Sequence, residues 1–495
     1  MKTNLSRAAV TLSFALLGSP LAAQTFTKYV ALGDSITAAV QGACLVERHQ
    51  ARSYSRVIAT QLGFADFQQP LVGEATLTGN LAIPKCLGAV VAGNTITVGP
   101  VSDNGNPKNT TLPRPYDNLG MNGANTADLV DLKRANPMGG TANQAALLVL
   151  RNFLGGPFQD KSAVDEANIL NPNLVTLWIG NNDVLGALTT AVAVDQVTLT
   201  SVAAFEAKYT QVLAGLRASN RTLVVANIPD VSAIPFGTTV PPFVVDPQTR
   251  RPVLVGGQRI PLLGSRPGFM CPSPPCQVPP ETLVTILALP MLAEGVGIPC
   301  AVAPLPRCNQ PLPDGSFTPP STLTPGVLLY PDEVALIRQR TNELNAKISS
   351  IASANSAILL DVNAIFDKIK TDGYSIGGIK LTKDLLTGGL FSADGVHPSN
   401  IAHMIVADEI IKVLNSAKGA AIERPNLAAV LFAEDVPLRG SSSSAEASIV
   451  LEDAPAAWTN LLQIFPPVDA AVEVVFPTEV PERAPVVPVR RGSRS

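Results

Sequence analysis

A chain of 495 residues is long enough for one large domain with insertions or for two or three smaller domains, and burying a sizeable core is no obstacle. Its 36 basic and 39 acidic residues leave a net charge of -3, which excludes a general electrostatic pull toward nucleic acid or anionic membrane. Aromatic residues make up 5%, too few for base-stacking platforms, while 46% apolar residues and 43 prolines point to a tight core with stiff irregular segments.

The chain opens with basic Lys2 and Arg7, an apolar run from Ala8 to Leu17, and small residues at Leu21-Ala22-Ala23. That order predicts an export signal over residues 1–23, cleaved after Ala23 and too short to span a bilayer. The best later membrane candidate, Thr282 to Val296, is short and holds Pro290 and Glu294. Six cysteines agree with an oxidising destination, and proximity favours the pairs Cys44–Cys86, Cys271–Cys276 and Cys300–Cys308. Metal binding by them is the weaker reading, because the chain has only three histidines.

Past the signal, Tyr29 to Leu32 reads as a buried strand that stops at Gly33. Similar runs are Leu174 to Ile179, Thr222 to Ala226 and Ala357 to Asp361. Between them, Val202 to Ser219 and Asp332 to Ser350 carry helical spacing, with Val334, Ile337, Leu344, Ile348 and Ile351 near one face. Strands alternating with helices predict an α/β fold with a parallel sheet covered on both sides, whose chemistry gathers at the carboxyl ends of the strands. Residues 24–416 form this domain. Residues 75–117 are expected to make an irregular excursion around the strand-like piece Thr95 to Val98. Residues 231–330, with 21 of the 43 prolines and four of the six cysteines, read as a disulfide-held insertion. Its apolar patch of Leu283, Ile286, Leu287, Leu289 and Met291 fits either the wall or lid of an acyl-binding groove or an ordinary packed subdomain. From residue 417 to 495, repeated prolines and the run Ser441 to Ser444 predict a largely disordered tail, with local helix near Trp458 to Ile464.

Four segments carry chemistry. Ser35 follows a strand and Gly33, where a hydroxyl can stand at the sheet edge; alone it reads better as a helix cap. The segment Asn118 to Thr126 has closely spaced glycines that let a backbone N–H approach a bound oxygen. Gly180-Asn181-Asn182-Asp183 follows a strand, so an Asn amide there can donate to an oxyanion or serve a turn. In Asp394-Gly395-Val396-His397-Pro398, a carboxylate three residues before an imidazole can hold one ring nitrogen while the other faces a nucleophile. Pro398 suits the first turn of the helix predicted over Ile401 to Leu414. His49 and His403 suit surface or packing roles, which leaves His397 as the base.

Taken in this order, Gly33-Asp34-Ser35-Ile36-Thr37, Gly123, Gly180 to Asp183 and Asp394 to His397 resemble the four blocks of the SGNH, or GDSL, hydrolases. The resemblance covers about residues 27–230 and 331–415. It implies a three-layer α/β/α fold with a flavodoxin-like, five-stranded parallel sheet and no cofactor. It also implies Ser35 as nucleophile, His397 as base oriented by Asp394, and an oxyanion hole of the Ser35 and Gly123 backbone N–H groups with the Asn182 side chain. Asn122 varies too much among relatives for a role, and Gly120 is the competing glycine in the second block. The expected activity is hydrolysis of carboxylic esters by an exported esterase or lipase through an acyl-enzyme. Its substrate is a lipid or small acyl ester, with transient contact at lipid interfaces. A carbohydrate acetylesterase and an inactive surface-binding protein on the same fold are the alternatives.

Overall fold

A computed structural model describes residues 25–78, 85–92, 95–247, 251–267, 271, 273–433, 448–451 and 473–474. The predicted signal and the helix expected near Trp458 lie outside the described residues. Among those described, no helix is long and apolar enough to cross a membrane.

The central sheet has five strands: β1 (Tyr29–Gly33), β2 (Asn118–Gly120), β3 (Leu174–Trp178), β4 (Thr222–Ala226) and β5 (Ile358–Leu360). Every pairing is parallel, in the order β5-β4-β3-β1-β2. This is the flavodoxin-like order, with its reversal of direction between β1 and β3. The register aligns Gly33 with Gly120 on one side and Trp178 on the other, then Trp178 with Ala226 and Ala226 with Leu360. The strands therefore end level, and the segments leaving β1, β2 and β3 emerge side by side.

Helices cover both faces: α1 (Ser35–Ala38), α2 (Tyr54–Gln61), α3 (Ala163–Ile169), α4 (Asn182–Thr190), α5 (Val202–Leu216), α6 (Pro331–Ala354) and α7 (Asn400–Lys418). Alternation along β1 sorts its side chains between two clusters. Val30 and Leu32 join Phe205, Val212, Ile337, Leu344 and Ile348 of α5 and α6. Tyr29 and Ala31 join Tyr54, Ile58, Ala407, Ile410 and Leu414 of α2 and α7. The expected three-layer α/β/α arrangement is thus present, and the face predicted on α6 is buried.

The ends of these helices follow their sequences. Pro331 sits in the first turn of α6, where its missing N–H costs nothing. Ser162 and Asp165 cap α3 reciprocally. Pro398 departs from expectation. The helix starts at Asn400 with Ser399 as its cap, so Pro398 stays in the preceding loop, in a bridge with Phe391.

The excursion after residue 75 is ordered rather than irregular: Lys85–Ala92 and Thr95–Pro107 form an antiparallel hairpin that also pairs with Val72–Ala75. A buried Lys85–Asp103 pair at 2.6 Å and the Cys44–Cys86 disulfide fix its base. The other two disulfides, Cys271–Cys276 and Cys300–Cys308, are also those proximity favours. Among its described residues, the insertion does not build a core of its own. Val284, Ile286 and Leu312 belong to the same cluster as β1 and α6, and Leu283, Leu287, Leu289 and Met291 pack partly buried against it.

Candidate active site

Ser35 opens α1 directly after β1. Asp34 caps this helix, its Oδ1 accepting from the Ile36 N–H at 3.0 Å. Two close approaches set the turn. A Cβ on Gly33 would lie 2.2 Å from Thr37 Oγ1 and from the Trp178 carbonyl oxygen, and one on Gly120 would lie 2.3 Å from the Ala38 nitrogen. Only glycine lets β1, β2 and β3 approach the serine-bearing turn this closely.

The turn is anchored from β3 as well. Asn181 Nδ2 donates to Asp34 Oδ2 at 2.8 Å. Burial pushes the Asp34 carboxyl up to about 6, against the hydrogen bonds from Asn181 and Ile36 and the nearby His397, which favour its charged form.

Asn182, the first residue of α4, points its amide toward the segment after β2, where Nδ2 donates to the Ala124 carbonyl at 2.8 Å. Next to it, Asp183 accepts from the Thr126 N–H at 2.9 Å and hydroxyl at 2.8 Å. These bonds clamp the 121–126 loop to the third block, while the Met121 N–H bonds the Gly33 carbonyl at 3.0 Å. Within the loop Gly123 has φ 73°, a left-handed turn, whereas Gly120 is the last residue of β2, pressed on α1. The geometry therefore leaves Gly123, not Gly120, in the turn.

Asp394 and His397 meet as their spacing predicts, with His397 Nδ1 and Asp394 Oδ2 2.8 Å apart. Asp394 is completely buried, and burial alone would raise its pKa. The His397 ring and the backbone N–H groups of His397 and Val396 outweigh it and hold the carboxyl at about 2. An ionised carboxylate only accepts, so Nδ1 carries the proton and Nε2 is the basic nitrogen of neutral His397.

One connection was not visible in sequence. After α1, the chain bends back so that the Ala43 N–H donates to Asp394 Oδ2 at 2.8 Å and the Gly42 N–H to Ser392 Oγ at 3.1 Å. Ser392 Oγ in turn bonds Asp394 Oδ1 at 3.0 Å, and Gln41 Nε2 donates to Asn400 Oδ1 at 2.9 Å. Residues 41–43 thus tie the Ser35 turn to the Asp394–His397 turn across about 350 positions of chain. No pattern in Gln41-Gly42-Ala43 announces this, because the donors to Ser392 and Asp394, at Gly42 and Ala43, are backbone groups that every residue except proline has.

The remaining histidines are buried. His403 stacks on Tyr54 with ring centroids 6.3 Å apart, the packing role expected of it, and burial lowers its pKa to about 3. Burial, with Arg48 next, lowers His49 to about 4; it is inside the fold and not on the surface. Among the described residues, no three His, Cys, Asp or Glu side chains converge as a metal site.

Ser35 and Asn182 follow β1 and β3 at the carboxyl end of the sheet, beside the reversal where ligands bind in such folds, and residues 41–43 tie the Asp394–His397 turn to the Ser35 turn. A family profile described as GDSL-like Lipase/Acylhydrolase matches residues 29–410. No curated protein matches the chain. An extracellular lipase from Streptomyces rimosus, solved by crystallography, aligns at 15% identity over 79% of this chain and 99% of that one, with a TM-score of 0.29. The match to the family profile spans all four blocks and the whole central sheet, and the chain belongs to the GDSL-like lipase/acylhydrolase family, whose chemistry is ester hydrolysis.

Proposed function

We propose that the chain is an exported serine esterase of the carboxylesterase or lipase type, working through Ser35, His397 and Asp394. The observation that carries this reading is the ionised, fully buried Asp394 held 2.8 Å from His397 Nδ1 and tied through Ala43 to the Ser35 turn. In this reading Nε2 of His397 takes the Ser35 proton as Oγ attacks the acyl carbonyl, and returns it to the departing alkoxide. Water activated by the same nitrogen then hydrolyses the acyl-enzyme. The oxyanion is held by the Ser35 and Gly123 backbone N–H groups and by Asn182. An amide nitrogen carries two hydrogens, so the bond to Ala124 fixes the Asn182 side chain and the second hydrogen serves the substrate. Three disulfides support an oxidising destination, as does the apolar N-terminal segment.

The test is a rate series over p-nitrophenyl esters from acetyl to palmitoyl, with acetylated xylan alongside. Ser35→Ala is expected to lower turnover by roughly four to six decades and Asn182→Ala by about two to three. Release of acetate from xylan with no turnover of the longer esters would move the assignment to a carbohydrate acetylesterase. Wild-type rates in folded Ser35→Ala would overturn the serine mechanism.

A further inference from the structure

Two elements outside the central sheet flank the Asp394–His397 turn. On one side stands the Lys85–Pro107 hairpin, fixed by Cys44–Cys86 and by the Leu87 N–H bond to the Gly42 carbonyl at 2.7 Å. Gly42 neighbours Ala43, which holds Asp394. On the other side stands the start of the insertion, where the Phe236 N–H bonds the Gly395 carbonyl at 2.9 Å. From there the short helix Pro235–Thr238 runs alongside Ile286–Ala288, which leads into helix Leu289–Glu294.

The C-terminal tail joins these two elements. Strand Ser448–Leu451 pairs in parallel with the outer edge of the hairpin, matching Ser448 to Thr95, Ile449 to Ile96, Val450 to Thr97 and Leu451 to Val98. The same strand comes within 8 Å, Cα to Cα, of helix Leu289–Glu294. A second tail strand, Glu473–Val474, pairs with Thr322–Leu323 of the insertion. One segment thus fills the exposed edge of the hairpin and spans toward the insertion, and the tail is then fastened to the insertion again further along. In the turn that these flanks border, His397 is 1% exposed, and Ser35 is 3% exposed. The reacting groups of the proposed site therefore have almost no exposure to solvent. The strand joining its two flanks is held at a sheet edge, an attachment that opens without disturbing the core.

We propose that strand Ser448–Leu451 is an intramolecular strap that ties the hairpin to the insertion beside Ser35, and that its release admits bulky acyl substrates. The proposal rests on Ser35 being the reactive position, and its test does not need catalysis. All six cysteines are paired, so Ser35→Cys carries the chain's single thiol. Its alkylation is followed with iodoacetamide and with the larger fluorescein maleimide in three full-site backgrounds: the intact tail, Ile449→Pro, and a chain ending at Ala433. Proline is poorly tolerated within a paired strand, and truncation removes the strap altogether. With a strap in place, fluorescein maleimide labelling is expected to rise at least about fivefold in both altered backgrounds, with iodoacetamide labelling changing less than about twofold. Unchanged labelling by the larger reagent in both backgrounds would overturn the strap. Absence of p-nitrophenyl acetate turnover in the unaltered protein would instead overturn the esterase reading, with the labelling result still standing.

Discussion

The acid of the proposed triad is defined by its surroundings. Asp394 accepts from Ala43, Ser392, Val396 and, through both its backbone N–H and Nδ1, His397: five donors for a group with no exposure to water. These bonds keep it ionised, and the ionised form selects the His397 tautomer. Asp394→Asn can offer an N–H to Nδ1 and so favour the wrong tautomer; kcat for p-nitrophenyl acetate is expected to fall about three to four decades with little change in KM. The depressed pKa of Asp394 also gives a sign for acid stability. Its contribution is full above the ordinary carboxylate value and is lost as pH falls from about 4 toward 2. Glu166 on α3 has the opposite sign. Neither of its oxygens has a hydrogen-bond donor, and burial pushes it up to about 9 against the attraction of Arg151. The folded state therefore holds a proton that the unfolded chain releases, and stability declines as pH rises from about 4 toward 9. Glu166→Gln removes that penalty. In denaturant titrations its stability relative to wild type is expected to improve between pH 5 and pH 8, on the order of a few kcal/mol. A constant difference across that range would show that Glu166 is ionised in the fold.

Among the elements, the legible ones were those whose apolar pattern is long enough to be read. β1, β3 and β4 each bury five consecutive residues, and α6 buries the stripe from Val334 to Ile351. β2 is only Asn118-Leu119-Gly120, and with its glycine and those that follow it reads as a loop when taken from sequence; its pairing with β1 makes it a strand. The hairpin was hidden for a related reason. Its strands hold Gly88, Gly99 and Gly105 and the turn residues Asp103 and Asn104, which read as breaks until the pairing of the two strands supplies their hydrogen bonds. Pro398 was misplaced by two positions because Ser399 is the better cap. Two changes test how elements hold the site. Gly120→Ala puts a methyl group against the α1 backbone at 2.3 Å and is expected to cost about 1–3 kcal/mol with a fall in kcat; a neutral Tm would contradict the close approach. Replacing Cys44 and Cys86 by serine opens a loop with a sequence separation of 42, against 5 and 8 for the other disulfides. By loop entropy it is expected to cost the most of the three, about 3–4 kcal/mol, and also to lower activity because the loop begins beside Ala43. An equal loss from the Cys300–Cys308 pair would contradict that ranking.

At the scale of the molecule, the sheet, the hairpin and the proline-rich insertion share one core, so the parts that flank the site are built into the same packing as the parts that form it. The four blocks were legible because each lies within a few residues of chain: Ser35 after β1, Gly123 after β2, Asn182 after β3, and Asp394 three residues from His397. Their convergence depends on five strands ending level, which no local pattern records. In the proposed mechanism it is this convergence that makes Ser35 a nucleophile. A fluorophosphonate probe, with the modified residue located by mass spectrometry, tests that role without reference to any particular substrate. The expected result is one label per chain, on Ser35, absent from folded Ser35→Ala and strongly slowed in Asp394→Asn. A label on another serine, or undiminished labelling of Ser35→Ala, would contradict it.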